Sequence, residues 1–590
     1  MRWGGRLGLG PRPGYRHCYS AGDSLLHIQM SSLRVALAQL NPTVGDVPGN
    51  RAAIASAATR AAEQGAELLI TPELSLLGYP PRDLLRRDSL IEIQLAALEE
   101  LAGSVPLPTV VGVADRNPGT GRALQNVAAL LDDGEVVMRA PKRLLPTYDV
   151  FEEARYFEPG DRPSVVDVDG TQVGLSVCED AWTQTSIDGT RRYDADPIAE
   201  LAADGAELLV NISASPFYLG KGAERERLFA AHASSTELPV VFVNQVGGND
   251  ELLFDGASFA LGAGGRPLAR GADWEQDLLI VDIPGEDRPD ADRLPAGLAS
   301  PDQEAVEARQ AIRVGIRDYV TKSGFEEVIL GMSGGVDSTV ATVLAAEALG
   351  PANVRGVAMP GRYTADASTE DARTVAGRLG IEFDIIPIDE PVAAFQGQLD
   401  SVFEGTDPDE TEENLQARVR GTTLMALSNK FDALVLTPDN KSESAVGYCT
   451  LYGDMVGALA PLGDCLKGLV YAIAEELNER PDPRFDGAPI PARVSERPPS
   501  AELKADQTDA DDLPPYESID PIVGAYMEAG ADRAELLAAG HEKALVDRVL
   551  GLLERSEYKR WQEVPVVRLT SQAFGMGWRY PLAANFPQSL

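Results

Sequence analysis

At 590 residues, with 44% apolar and 24% charged side chains, the sequence is long enough for several domains and close to the globular average, which excludes collagen-like, mucin-like and wholly disordered chains. Its net charge of −39, from 91 acidic against 52 basic residues, creates a field that repels phosphate backbones and argues against a nucleic-acid partner. No apolar run reaches the roughly 18 residues that a membrane helix needs.

Residues 1–30 carry four arginines and a single acid, Asp23, unlike the acidic remainder. They lack the apolar stretch of a signal peptide, so the expectation is a non-structural leader over 1–31, with Met30 as the natural first residue. RVALAQL then reads as a buried strand, Asn50 as the cap of an alanine-rich helix ending at Gly65, and AELLIT as a second strand. GAELL occurs at 65–69 and again at 205–209, which suggests a duplicated β-α-β half. Asp133-Gly134 predicts a hairpin, QVGLSV runs directly into Cys178, and PVVFVNQ runs into the Gly247-Gly248 turn. The Pro-, Asp- and Gly-rich segment 284–301 reads as a linker. Beyond it, a helix to Lys322, the strand VIL, VRGVAM, a helix to Gly380 and EFDIIP alternate as in a parallel α/β sheet, and the acidic stretch 404–414 reads as a solvated loop.

Lysine is scarce, with nine in the chain, which makes each one worth weighing. An acid-rich, lysine-poor composition points to a salt-adapted source or to codon bias. Four cysteines without a CxxC pair do not make a disulfide scaffold and fit a reducing cytoplasm, and four histidines leave little room for histidine-based nucleophilic catalysis.

Glu73, Lys142 and Cys178 each fall just past a predicted strand or hairpin, where open α/β layers gather their chemistry. A thiol attacks as thiolate, a carboxylate can take its proton, and an ammonium can stabilise the oxyanion that forms. Singly, each residue reads as well as a structural one. In context, TPELSLLGYP, KRLLPTYDVFEEARYFEPG and VCEDAW resemble the three motifs of the nitrilase superfamily of carbon–nitrogen hydrolases, over about residues 32–283. That resemblance implies a four-layer αββα sandwich, with Glu73 as general base, Lys142 as stabilising cation, Cys178 as nucleophile and Glu153 orienting the set. It also implies that Tyr148, Glu179, Ser215 and Lys221 hold glutamine, Lys221 standing where some members have arginine.

GMSGGVDS, between a strand and a helix starting near Ser338, is a glycine-rich anion cradle without a Walker A ending. It resembles the pyrophosphate loop of ATP pyrophosphatases, which implies that Ser333, Gly334, Gly335, Asp337 and Ser338 bind ATP and that Asp337 ligates Mg²⁺. ENLQARVRG, LVLTPDNKSESAVGYCTLYGD, PLGDCLK, ERPPSAELKADQTDADDLPPY, EYKRWQ and AFGMGWRYP resemble NAD synthetases of the glutamine-dependent kind. By that likeness Glu443 joins Asp337 at Mg²⁺, Met359 and Arg420 contact ATP, and Arg418, Asp454, Lys467 and Lys559 face deamido-NAD. Thr437-Pro438 departs from the family's usual GT or TT, and Lys441 reads as a site residue or as a solvated helix cation.

The joint resemblance implies a Rossmann-like parallel α/β synthetase domain over 302–590 after a nitrilase-like domain over 32–283. The expected reaction is ATP-dependent amidation of nicotinate adenine dinucleotide to NAD, with AMP and pyrophosphate released and ammonia supplied by glutamine through a cysteine thioester. A cytoplasmic homo-oligomer that channels ammonia is expected, with no nucleic acid and no membrane among its partners. The alternatives are a hydrolase with a regulatory or degenerate nucleotide domain and a nucleotide-sensing scaffold.

Overall fold

The computed structural model describes residues 32–183, 193–283, 301–505 and 507–584. The leader over 1–31 and nearly all of the linker over 284–301 lie outside the described residues.

Alternation of apolar side chains builds two six-stranded sheets. In the first, β1 (Leu33–Gln39), β2 (Leu68–Ile70) and β3 (Thr109–Arg116) run parallel, followed by antiparallel β4 (Leu124–Asp132) and β5 (Glu135–Pro141). The second starts from β6 (Ser164–Val168), passes through parallel β7 (Thr171–Val177), β8 (Leu208–Ser213) and β9 (Val240–Asn244), and ends on the same flank pattern. The hairpin β10 (Val246–Asn249) and β11 (Leu252–Asp255) stands outside both sheets, β12 (Phe259–Leu261) and β13 (Pro267–Arg270) close the second antiparallel flank, and β14 (Asp277–Ile283) returns to pair antiparallel with β1.

The two sheets therefore share one sequence of strand directions, and the repeated GAELL leads into the central strand of each. Even the flanking hydrogen bonds repeat: Arg34 N donates to Glu67 Oε2 at 2.7 Å, and Gln172 N to Glu207 Oε2 at 3.0 Å. Inward residues such as Val35, Ile70, Val177 and Val210 pack the sheets face to face. Ile54 and Leu98 from two helices cover the outer face of the first sheet, and Ile198 and Phe229 cover that of the second, which completes the αββα sandwich.

Two local expectations are corrected. The first helix spans Val47–Glu63 and is capped by Asp46, whose side chain accepts from Gly49 N; Asn50 is buried inside it and bonds the Thr43 backbone instead. The acidic stretch 404–414 is not wholly loop, because Asp409 and Glu412 form a capping box that starts the helix Glu410–Phe431.

After the helix Pro301–Lys322, four parallel strands, β15 (Val328–Gly331), β16 (Val354–Ala358), β17 (Glu382–Ile385) and β18 (Leu434–Leu436), stand in the order β17-β16-β15-β18. Val328 and Leu330 face one helical layer, and Ile329 and Val435 face the other. The order reverses between β15 and β18, the crevice where doubly wound sheets bind ligands. Phe217, Leu253 and Trp274 of the sandwich share a core with Ala305, Ala308 and Ile312 of the helix Pro301–Lys322. Lys322 adds a polar seal, with Nζ 2.7 Å from Asn41 Oδ1 and 2.8 Å from Gly248 O.

Candidate active sites

Glu73 follows β2, Lys142 follows β5 and Cys178 follows β7, and the fold brings all three into one buried cluster. Lys142 Nζ lies 2.8 Å from Glu73 Oε1 and 2.8 Å from Glu153 Oε1. Glu73 also accepts from Asn126 Nδ2 at 2.7 Å and from Ala214 N at 2.9 Å, and Tyr79 Oη donates to Glu153 Oε1 at 3.0 Å. Burial works against the Lys142 charge, but Glu153 and Glu73 outweigh it and hold its pKa well above the ordinary value. Burial, with Glu73 adding to it, pushes the Cys178 thiol well up, and burial raises Glu153 to about 7.

Cys178 has φ +43, a left-handed backbone unusual for a side chain of this type and one that costs roughly 1–2 kcal/mol. Asp180 fixes that turn. Its Oδ2 accepts from Val177 N at 3.0 Å, while its Oδ1 accepts from Arg143 N and Leu144 N at 2.9 and 2.8 Å, tying the cysteine turn to the lysine turn. Asn126 and Asp180 were absent from the sequence reading. VCEDAW contained Asp180, but nothing in sequence pairs it with residues 143–144.

Glu179 accepts from Tyr148 Oη at 3.0 Å and from Tyr193 Oη at 2.9 Å. Ser215 is buried, its N–H donating to Asn244 Oδ1 at 3.0 Å. Lys221 is buried with Nζ 5.2 Å from the Trp182 ring centroid and 5.0 Å from that of Tyr218, and burial lowers its pKa to about 8. These groups offer one carboxylate and one ammonium, a pattern that suits the two charged ends of an amino acid.

In the second half, a cavity of about 280 Å³ opens at the β15/β18 crevice, lined by Ser333, Gly334, Gly335, Asp337, Ser338, Met359, Arg420, Glu443, Asp454 and Lys467. Gly334 (φ +81) admits no side chain, because a Cβ there would lie 2.2 Å from Ser368 O. The loop feeds the helix Val336–Leu349, whose first residues Val336, Asp337 and Ser338 line the cavity, and its N-cap Gly335 supplies no side-chain cap. Lys467 Nζ lies 2.7 Å from Asp337 Oδ2 and 3.0 Å from Glu443 Oε1. Burial raises Glu443 to about 7 against the pull of Lys467. Arg420 is held by Met359 O at 3.1 Å, and burial lowers its pKa.

Arg418 and Lys559 are not among the residues lining the cavity. Arg418 Nε donates to Leu451 O at 3.2 Å, and Lys559 Nζ bonds the Gly447 and Cys449 carbonyls at 2.7 Å each. Lys441 is not a solvated cation: it is fully buried, 3.0 Å from both Asp464 Oδ1 and Glu528 Oε1. Asp439, missed in sequence, also lines the cavity; burial, with Asp454 beside it, raises its pKa well above the ordinary value.

Residues 34–289 match the carbon–nitrogen hydrolase family and residues 308–563 match NAD synthase. The chain is 41% identical over 559 residues to the glutamine-dependent NAD(+) synthetase of Synechocystis sp., covering 94% of this chain and 99% of that relative. It is 39% identical to the one from Thermotoga maritima, covering 95% and 100%. The solved glutamine-dependent NAD+ synthetase from Acinetobacter baumannii, in complex with ADP, is 37% identical and matches with a TM-score of 0.71 over 94% of this chain and 98% of that one. The chain belongs to the glutamine-dependent NAD(+) synthetase family.

Both halves of a glutamine-dependent NAD(+) synthetase are thus present in one chain, a nitrilase-like sandwich and a parallel α/β synthetase domain. The degenerate-hydrolase alternative is not favoured. Among the described residues, no helix is long and apolar enough to cross a membrane. Nor do the described residues hold a group of three or more His, Cys, Asp or Glu side chains able to bind a metal ion by themselves.

Proposed function

We propose that the chain converts nicotinate adenine dinucleotide, ATP and glutamine into NAD, AMP, pyrophosphate and glutamate, with Cys178 as the nucleophile that frees ammonia. The observation that carries this reading is the pairing, in one chain, of a buried thiol–carboxylate–lysine cluster with a nucleotide-sized cavity over a glycine-rich loop.

The high pKa of Cys178 argues for proton transfer concerted with attack rather than a resting thiolate. Glu73 takes the thiol proton as Sγ bonds to the carboxamide carbon, and Lys142 stabilises the oxyanion. When the C–N bond breaks, Glu73 returns that proton to the leaving ammonia. Water then attacks the thioester, giving up a proton to Glu73, and glutamate and the free thiol are released. Tyr148, Glu179, Ser215 and Lys221 hold the substrate.

In the synthetase half, the nicotinate carboxylate attacks the ATP α-phosphorus and pyrophosphate leaves; ammonia then attacks the acyl carbon and AMP leaves. The Ser333–Ser338 loop, Met359 and Arg420 hold ATP, and Asp454 and Lys467 face the deamido dinucleotide, with Arg418 and Lys559 supporting from outside the cavity wall. A pair of carboxylates suits Mg²⁺, which takes one or two of them together with substrate phosphates. Asp337 and Glu443 would hold that ion, which when bound neutralises phosphate charge. Lys467 balances the same two carboxylates.

The working halves are residues 32–283 and 302–590, joined by 284–301. Ammonium is unreactive at neutral pH, so the ammonia is handed over in an enclosed route within a homo-oligomer. A reducing cytoplasm suits a nucleophile that must stay a free thiol. Incubation with ATP, Mg²⁺, glutamine and the deamido dinucleotide should yield NAD and AMP in equal amounts together with glutamate. Glutamate alone would make the protein a hydrolase.

A further inference from the structure

The tail of the chain lies between the two sites. On the synthetase side, Asp464 Oδ2 accepts from Leu569 N at 2.7 Å and Thr570 N at 2.6 Å, and Lys441, two residues before Glu443, donates to Thr570 Oγ1 at 2.8 Å. On the amidase side, Arg568 Nη2 donates to Asp149 Oδ2 at 2.5 Å, and Leu219 N donates to Leu569 O at 2.8 Å. A second ion pair joins Arg579 Nη1 to Glu152 Oε1 at 3.1 Å.

Asp149 directly follows Tyr148, Glu152 directly precedes Glu153, and Leu219 lies between Ser215 and Lys221. The tail thus grips two of the three segments that carry the proposed glutamine contacts, Glu179 standing on the third. Asp149 has φ +53, a left-handed conformation that aspartate tolerates, and its loop has an external hold. Arg568 supplies it from a buried position: its Nε donates to Thr570 O at 3.0 Å and its Nη2 also donates to Ser571 O at 2.6 Å, so the guanidinium is fixed by its own segment. The tail backbone closes on the same carboxylate, since a Cβ at Gly577 would lie 2.8 Å from Asp149 Oδ1. Lys221 feels the tail as well, its proton affinity being lowered first by burial and further by Arg225 and Arg568.

We propose that Arg568 is a positioning residue for the glutamine site: through Asp149 it fixes the loop bearing Tyr148 and Glu153, so that the amidase half adopts its working geometry only while the synthetase tail is docked on Asp464. This rests on the reading of Cys178 as a glutaminase nucleophile. A buried ion pair that served folding alone would affect both half-reactions equally, whereas a positioning pair acts on glutamine and leaves the ammonia-using site untouched.

The test uses the full chain and its Arg568→Met, Arg568→Lys and Asp149→Asn variants, measuring glutamate release and NAD formation with glutamine and, separately, with ammonium chloride. Arg568→Met should raise KM for glutamine about tenfold while the ammonium-driven kcat stays within about twofold of the parent, and Arg568→Lys should recover part of the loss. Asp149→Asn breaks the same bridge from a more exposed loop and should shift KM in the same direction, which keeps the test decisive should Arg568→Met fail to fold. An unchanged glutamine KM, or an equal fall with both nitrogen sources, would overturn the proposal. If the parent chain releases no glutamate, the glutaminase reading itself fails; an active parent with unaltered variants sinks only the role of Arg568.

Discussion

Lys221 is an ammonium buried among aromatic rings, and its pKa of about 8 is set by that burial. If it pairs with the substrate carboxylate, the charge it needs is present below pH 8 and lost as the pH rises through that value. The kcat/KM for glutamine should therefore fall above about pH 8, and Lys221→Arg, which stays charged throughout, should flatten that limb. A pH profile of kcat/KM with glutamine, with ammonium-driven synthesis as control, checks this; a limb that survives in the arginine variant would assign it to another group. Single residues were legible where they stand next to a strand end inside a motif, as Glu73, Lys142 and Cys178 do. Asn126 and Asp180 were not, because their partners lie 53 and 36 to 37 residues away. Sequence left Lys441 open between a site residue and a solvated cation for the same reason: its partners Asp464, Glu528 and Thr570 lie 23 to 129 residues further along the chain.

At the scale of elements, the site depends on how closely β3 approaches the loop after β2. A Cβ at Gly112 would fall 2.3 Å from Leu74 N and from Pro72 O, both backbone atoms on either side of Glu73. Gly112→Ala should therefore push the Glu73 loop outward, costing about 1–3 kcal/mol of stability and most of the glutaminase rate. Thermal melting together with glutamate release measures both, and a variant with unchanged Tm and rate would show that the loop is more compliant than its packing implies. Element type was readable from periodicity and element ends less so. The first helix starts at Val47 because Asp46 can reach Gly49 N while Asn50, also a good capping residue, is drawn into the core by Thr43. The αββα layering itself came from motif resemblance, since alternation alone cannot say which of two sheets a strand joins.

The molecule as a whole joins a site that can free ammonia to a site that can consume it, across a shared apolar core, the Lys322 seal and the tail. None of these contacts was legible in sequence, because they bring together segments tens to hundreds of residues apart with no motif to pair them; the motifs within each half were. The direct measurement of the two-site account is NAD formation by Cys178→Ala with glutamine and with ammonium as alternative nitrogen sources. The account predicts no NAD with glutamine and an ammonium-driven rate within about twofold of the parent. NAD formation from glutamine at the parental rate, or loss of the ammonium-driven rate in a folded variant, would contradict it.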